Sequence, residues 1–107
     1  MKPFLTYTPG GHTLNMNLFW EYDMNKFVPK KEPAIVVNRV VTMGSLEDWY
    51  AAFDMFGGIE GFAKLAKQYA VDLDDKDLHF MCSSLNLKKE QTACYKKKLL
   101  RKKLFNS

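Results

Sequence analysis

Negative charge all but disappears from the end of this chain. After Leu87 the only acid is Glu90, set against eight lysines and arginines, whereas residues 1–87 hold eleven acids and eight bases. The body is therefore net −3 and the last twenty residues net +7, within a total of +4. Cysteine is scarce as well. Cys82 and Cys94 are the only two, too few for a disulfide scaffold, and in a reducing compartment both read as small buried hydrophobes. His12 and His79 are the only histidines. His79, Cys82 and Cys94 offer three soft ligands with no fourth and no knuckle turns, so neither a metal nor any other cofactor is expected. The pair Cys82 and His79 lacks a third group to orient it, and no enzyme activity is expected from it. No G-K-[ST] follows Gly57-Gly58, which removes a phosphate-cradling loop, and the acids from Asp72 to Asp77 lack calcium-loop spacing.

Long apolar runs are missing too. The longest strictly aliphatic stretch is Ala34-Ile35-Val36-Val37, far short of the roughly 20 residues that span a bilayer. The opening MKPFLTYTPGGH places prolines and glycines where a signal peptide would carry its apolar segment. The expectation is a cytoplasmic protein with no membrane contact.

What is present suits one domain. The chain has 107 residues, 47% hydrophobic and 14% aromatic, enough for a single core and too apolar for a disordered chain. Residues 1–17 read as an N-terminal arm with a turn at Pro9-Gly10-Gly11, and Leu18-Phe19-Trp20 as an apolar anchor onto the core. From Pro33 to Met43, valines at 36, 37, 40 and 41 share one helical face. Pro33 suits a first turn, and Gly44 suits the position after the last. Ser45 caps a second helix whose acids at 47 and 48 complement its positive end. Leu46, Trp49, Tyr50, Phe53 and Phe56 form its stripe, read as core, and Gly57-Gly58 stops it. Ile59, Phe62, Ala63, Ala66 and Ala70 make a third apolar face, with Lys64 and Lys67 outside it. An aspartate at 74 or 75 caps a fourth helix over 76–85, and a fifth starts near Lys88 and runs to about residue 100. The fold class is all-α: about five short helices in one compact domain over 18–100, with a helix-turn-helix-like pair at 76–100 and a basic tail at 101–107.

The pair at 76–100 has the parts of a helical corner. Cys82 is the small residue that permits a close crossing, and Asn86 tolerates left-handed backbone. Leu87 plugs the core after the turn, while Thr92 and Tyr95 point inward from the second helix. On that reading Lys88, Lys89 and Gln91 sit at the exposed start of a recognition helix, followed by Lys96, Lys97, Lys98 and Arg101. Lysines there touch phosphates and hold register, and Gln91 is the one amide suited to two-pronged pairing with adenine. Five such phosphate contacts imply a log–log salt slope near about −4.5. DNA is thus one partner, and a homodimer would suit paired half-sites. The competing reading is a protein-interaction module whose basic end and aromatic arm clamp an acidic partner.

Short motifs along residues 18–98 add a resemblance. They are Leu18-Phe19-Trp20-Glu21-Tyr22-Asp23, Arg39-Val40 with Gly44, Glu47-Asp48-Trp49, Phe56-Gly57, Leu78-His79-Phe80, Asn86-Leu87 and Cys94-Tyr95. In these the chain resembles a small bacterial family of uncharacterised proteins often encoded beside a nucleotidyltransferase of the abortive-infection toxin type. The resemblance implies an antitoxin-like role: binding the toxin, its own promoter, or both. It supplies no catalytic residues. The chain departs from the pattern at Asn86, where glycine is expected, at Lys88, where proline is expected, and in a final helix richer in lysine and leucine.

Overall fold

The computed structural model describes residues 7–23 and 25–106, without the side chains of residues 105 and 106. The first six residues of the arm and the last residue of the tail lie outside that range. Five α-helices follow one another: α1 (Pro33–Met43), α2 (Leu46–Met55), α3 (Gly58–Tyr69), α4 (Asp75–Leu85) and α5 (Ala93–Asn106). Single 3-10 turns occupy Met16–Phe19, Pro29–Lys31 and Lys89–Gln91, and there is no strand among the described residues.

The valine-rich segment is helical because all four valines on one face are needed inside. Val36, Val37, Val40 and Val41 are buried against α2 and α3. Burial outweighs the weak helix propensity of β-branched residues, which costs only a few tenths of a kcal/mol each. Gly44 ends α1 with extended backbone, φ −75°. Its reason is space: a Cβ there would stand 2.7 Å from the Val40 carbonyl oxygen.

α2 opens on a reciprocal cap, with the Ser45 hydroxyl and the Asp48 carboxylate each holding the other's backbone N–H. Trp49, Phe53 and Phe62 meet edge to face with ring centroids 5.4–6.3 Å apart, which joins α2 to α3 at the centre of the core. Gly57 and Gly58 make the corner between these helices at φ +88° and +86°. The small residues Ala63 and Ala66 let α3 lie close to its neighbours, and α1 is its principal partner.

Leu18 and Phe19 enter the core from a 3-10 turn, and Arg39 fixes that turn by donating to the Leu18 carbonyl and pairing with Glu21. The preceding residues strap across α2. Tyr7 Oη and the Gly10 N–H both donate to Asp54 Oδ1, at 2.6 and 2.8 Å. Further along, the Thr13 N–H donates to Glu47 and the Asn15 N–H to Asp48.

α4 starts on Asp74, whose carboxylate accepts the Asp77 N–H at 2.7 Å. It ends on Asn86, at φ 58° and ψ 45° the single non-glycine residue at positive φ among those described. Both the Asn86 and Leu87 N–H groups return to the Cys82 carbonyl.

The segment that follows differs from the sequence expectation. The last helix does not begin near Lys88. Lys88 is extended, Lys89–Gln91 form a 3-10 turn, and α5 begins at Ala93. The connection between α4 and α5 is thus seven residues, 86–92, longer than the three or four of a compact helix-turn-helix. Thr92 explains the delay. Its buried hydroxyl donates to the Lys89 carbonyl at 2.7 Å and accepts the Tyr95 N–H at 3.2 Å, so threonine caps α5 where valine would leave that N–H without a side-chain acceptor. The helix then continues past residue 100 to Asn106, so the basic end is helical. α5 packs chiefly on α3 and on the 89–91 turn, with Cys94 fully buried and its thiol donating to the Leu73 carbonyl.

Candidate nucleic-acid interface

Packing α5 on α3 brings together cations far apart in sequence. Lys64, Lys67 and Gln68 project from the exposed face of α3, and Gln91 and Lys96 approach from the 89–91 turn and the first turn of α5. With Ala93 they line a groove of about 400 Å³ that contains no acid. Three ammonium groups and two amides line one open groove, with the exposed Glu60 one helical turn before Lys64 and Glu90 next to Gln91 in sequence; ammonium and amide donors together are the equipment that can grip a phosphate backbone.

The other expected contacts point elsewhere. Lys97 Nζ lies 2.7 Å from Asp72 Oδ1, and Lys98 Nζ lies 3.4 Å from Asp75 Oδ1. Together with Arg101 they border a separate cleft of about 290 Å³ against Val71–Asp74. Lys97 and Lys98 each have an exposed aspartate of the chain as partner, so these two lysines add less to an external phosphate site than their number suggests. Lys89 Nζ sits 5.5 Å above the Tyr95 ring, a cation–π contact on a third side of α5. Lys88 is exposed at the entry to the 3-10 turn and not on a helix.

Of the residues expected to meet DNA, Gln91 and Lys96 therefore share the groove, while Lys88, Lys89, Lys97, Lys98 and Arg101 are spread over other surfaces. Lys64 and Lys67 were missed by sequence reasoning. Their only signal is i,i+3 spacing on the polar face of α3, which any solvated helix shows. Cys82, Asn86 and Leu87 sit at the end of α4, with Cys82 buried and Leu87 packed against the core. Burial pushes the Cys82 thiol pKa up, with the Cys94 thiol adding to the shift. His79 is exposed, whereas Cys82 and Cys94 are buried. Among the described residues no three His, Cys, Asp or Glu side chains are grouped to hold a metal, and no helix is long and apolar enough to cross a membrane.

Residues 14–65 match the model of DUF6922, a family of unknown function. The matched segment contains the Met16–Phe19 turn, α1, α2 and the first part of α3, and so the motifs from Leu18 to Gly57. It stops just after Lys64, leaving Lys67, Gln91, Lys96 and the whole of α4 and α5 outside. No curated protein and no solved structure matches the chain.

Proposed function

We propose that this chain is a DNA-binding regulatory protein of antitoxin type, which holds the phosphate backbone of a duplex in the groove between α3 and α5. The observation that carries the reading is the acid-free cluster of Lys64, Lys67 and Lys96 with the amides of Gln68 and Gln91. Three lysines contacting phosphates give a log–log salt slope near about −2.7, shallower than the value expected when Lys97 and Lys98 are counted as free. That slope corresponds to an affinity loss of about 40-fold between 50 and 200 mM salt. Gln91, with Gln68 beside it in the groove, supplies the amides suited to a base edge. The antitoxin role, with a nucleotidyltransferase-type toxin as partner, follows from the resemblance set out above.

Fluorescence anisotropy on a labelled duplex from the chain's own upstream region tests the DNA reading. The triple variant Lys64→Gln, Lys67→Gln, Lys96→Gln should lose both affinity and salt dependence. Unchanged binding by that variant rules the groove out. Co-expression with a nucleotidyltransferase encoded beside this chain tests the partner, and the absence of such a gene or of a stable complex would remove it.

A further inference from the structure

From Leu99 to Leu104 every residue of α5 is exposed, although Arg101 still borders the cleft against Val71–Asp74, and Leu99 and Lys102 border the one that holds Lys89 and Asp75. These residues span more than a full turn, and at about 100° per residue the exposure runs around the whole helix. Helices this short are marginal without packing, and here Lys97 with Arg101 and Lys98 with Lys102 set like charges four apart. Little within the described chain compensates that repulsion beyond the first half of α5, where Asp72 and Asp75 pair with Lys97 and Lys98.

The outer surface of this segment carries leucine as well as charge. Leu99 is 40% exposed, Leu100 60% and Leu104 69%. Leu99 and Lys103 are one helical turn apart, as are Lys96 and Leu100, so the face away from the body alternates leucine with lysine. Phosphates gain nothing from the leucines. A bilayer surface needs one continuous apolar face, and the lysines interrupt it.

We infer that the projecting half of α5 is a docking helix for an acidic protein partner, whose apolar side chains meet Leu99, Leu100 and Leu104 and whose carboxylates meet Lys103 between them and Arg101 and Lys102 at the flanks. Charge complementarity selects the partner: from Leu99 to Leu104 the helix carries three cations, Arg101, Lys102 and Lys103, and no acid. The site is separate from the lysine groove and does not depend on DNA being bound there.

The probe is a labelled synthetic helical peptide whose glutamates flank a leucine stripe, paired with a version in which serine replaces every leucine. The full chain should bind the first peptide, and Leu99→Ala with Leu100→Ala should weaken that binding about tenfold. The double variant Lys64→Gln, Lys67→Gln should leave it nearly unchanged, which separates this site from the DNA groove. Circular dichroism confirms that the leucine variant is folded. Equal binding of both peptides would reduce the contact to charge alone and overturn the proposal, as would no binding. Tighter, leucine-dependent binding to vesicles of phosphatidylcholine and phosphatidylglycerol would overturn it in favour of a membrane surface.

Discussion

His12 Nδ1 stands 2.9 Å from Glu47 Oε1 while its Nε2 stands 2.9 Å from the Thr8 carbonyl oxygen. A carboxylate and a carbonyl can only accept, so both contacts are hydrogen bonds at once only when the ring carries two protons. Its pKa is accordingly raised from the ordinary 6.5, first by Glu47 and then by the Thr8 carbonyl. The ring also makes a triangle with Tyr7 and Tyr50, its centroid 5.7 and 5.0 Å from theirs and theirs 5.3 Å from each other. In its doubly protonated form this ring ties the arm to α2.

The arm should therefore dock in a pH-dependent way. The His12 contribution is complete below pH 6.5 and is lost as pH rises through its raised folded value. Glu47 is held below its ordinary 4.5, chiefly by the Thr13 N–H and then by His12, so its contribution is present above 4.5 and lost as pH falls through its lowered folded value. Asp54 is lowered from 3.8 by the Gly10 N–H and the Tyr7 hydroxyl, and burial with the Asp54 bond raises Tyr7 to about 12. Protection of the Gly10 and Thr13 amides from hydrogen exchange, relative to their intrinsic rates, should peak between pH 4.5 and 6.5. His12→Ala should abolish the alkaline decline. If that variant keeps the decline, another group is responsible.

Asp48 should be the costliest acid to remove. Its buried carboxylate accepts the Asn15 N–H at 2.8 Å, the Ser45 N–H at 2.8 Å and the Ser45 hydroxyl at 3.0 Å. Asp48→Ala removes one half of the α2 cap and leaves the Asn15 donor without its acceptor. Urea denaturation should show a loss of about 3 kcal/mol. A loss under about 1 kcal/mol would mean that water replaces these bonds.

Asn86 should respond in opposite directions to two small changes. Its φ of 58° strains an ordinary L-residue, so Asn86→Ala should destabilise by about 1 kcal/mol. Asn86→Gly fits the same backbone without a Cβ and should be neutral or stabilising by a few tenths of a kcal/mol. Equal destabilisation by both would show that the asparagine side chain, and not the backbone conformation, is what the corner requires.

The lysines of α5 should not be equivalent. Lys97→Ala should cost at most about 1 kcal/mol of stability through the exposed Asp72 pair, and should shift DNA affinity less than Lys96→Ala does. Anisotropy titrations at several salt concentrations separate the two: the slope should fall by about 0.9 for Lys96→Ala and by clearly less for Lys97→Ala. Equal slopes would return the site to a diffuse tail.

Much of the architecture was legible because it is local. The Pro33 start, the Ser45 cap, the Gly57-Gly58 corner and the left-handed Asn86 each rest on contacts within about four residues, and sequence spacing reports those directly. The valine face of α1 and the aromatic stripe of α2 followed from period alone. The start of α5 was not legible, because Thr92 reads as a poor core residue until its hydroxyl is seen capping the helix from inside the fold. Nor did spacing show that a 3-10 turn carries Leu18 and Phe19 into the core.

The sequence by itself determined an all-helical chain with a mildly acidic body and a cationic end, since periodicity, caps and composition need no long-range information. Only the tertiary structure decided which cations of the body and of the end lie together. Lys64 and Lys67 join Lys96 because α5 packs on α3, and Lys97 and Lys98 turn away because Asp72 and Asp75 lie on the other side. Charge is a property of residues, but a charged site is a property of the distances between them, and those distances are set by what the core buries.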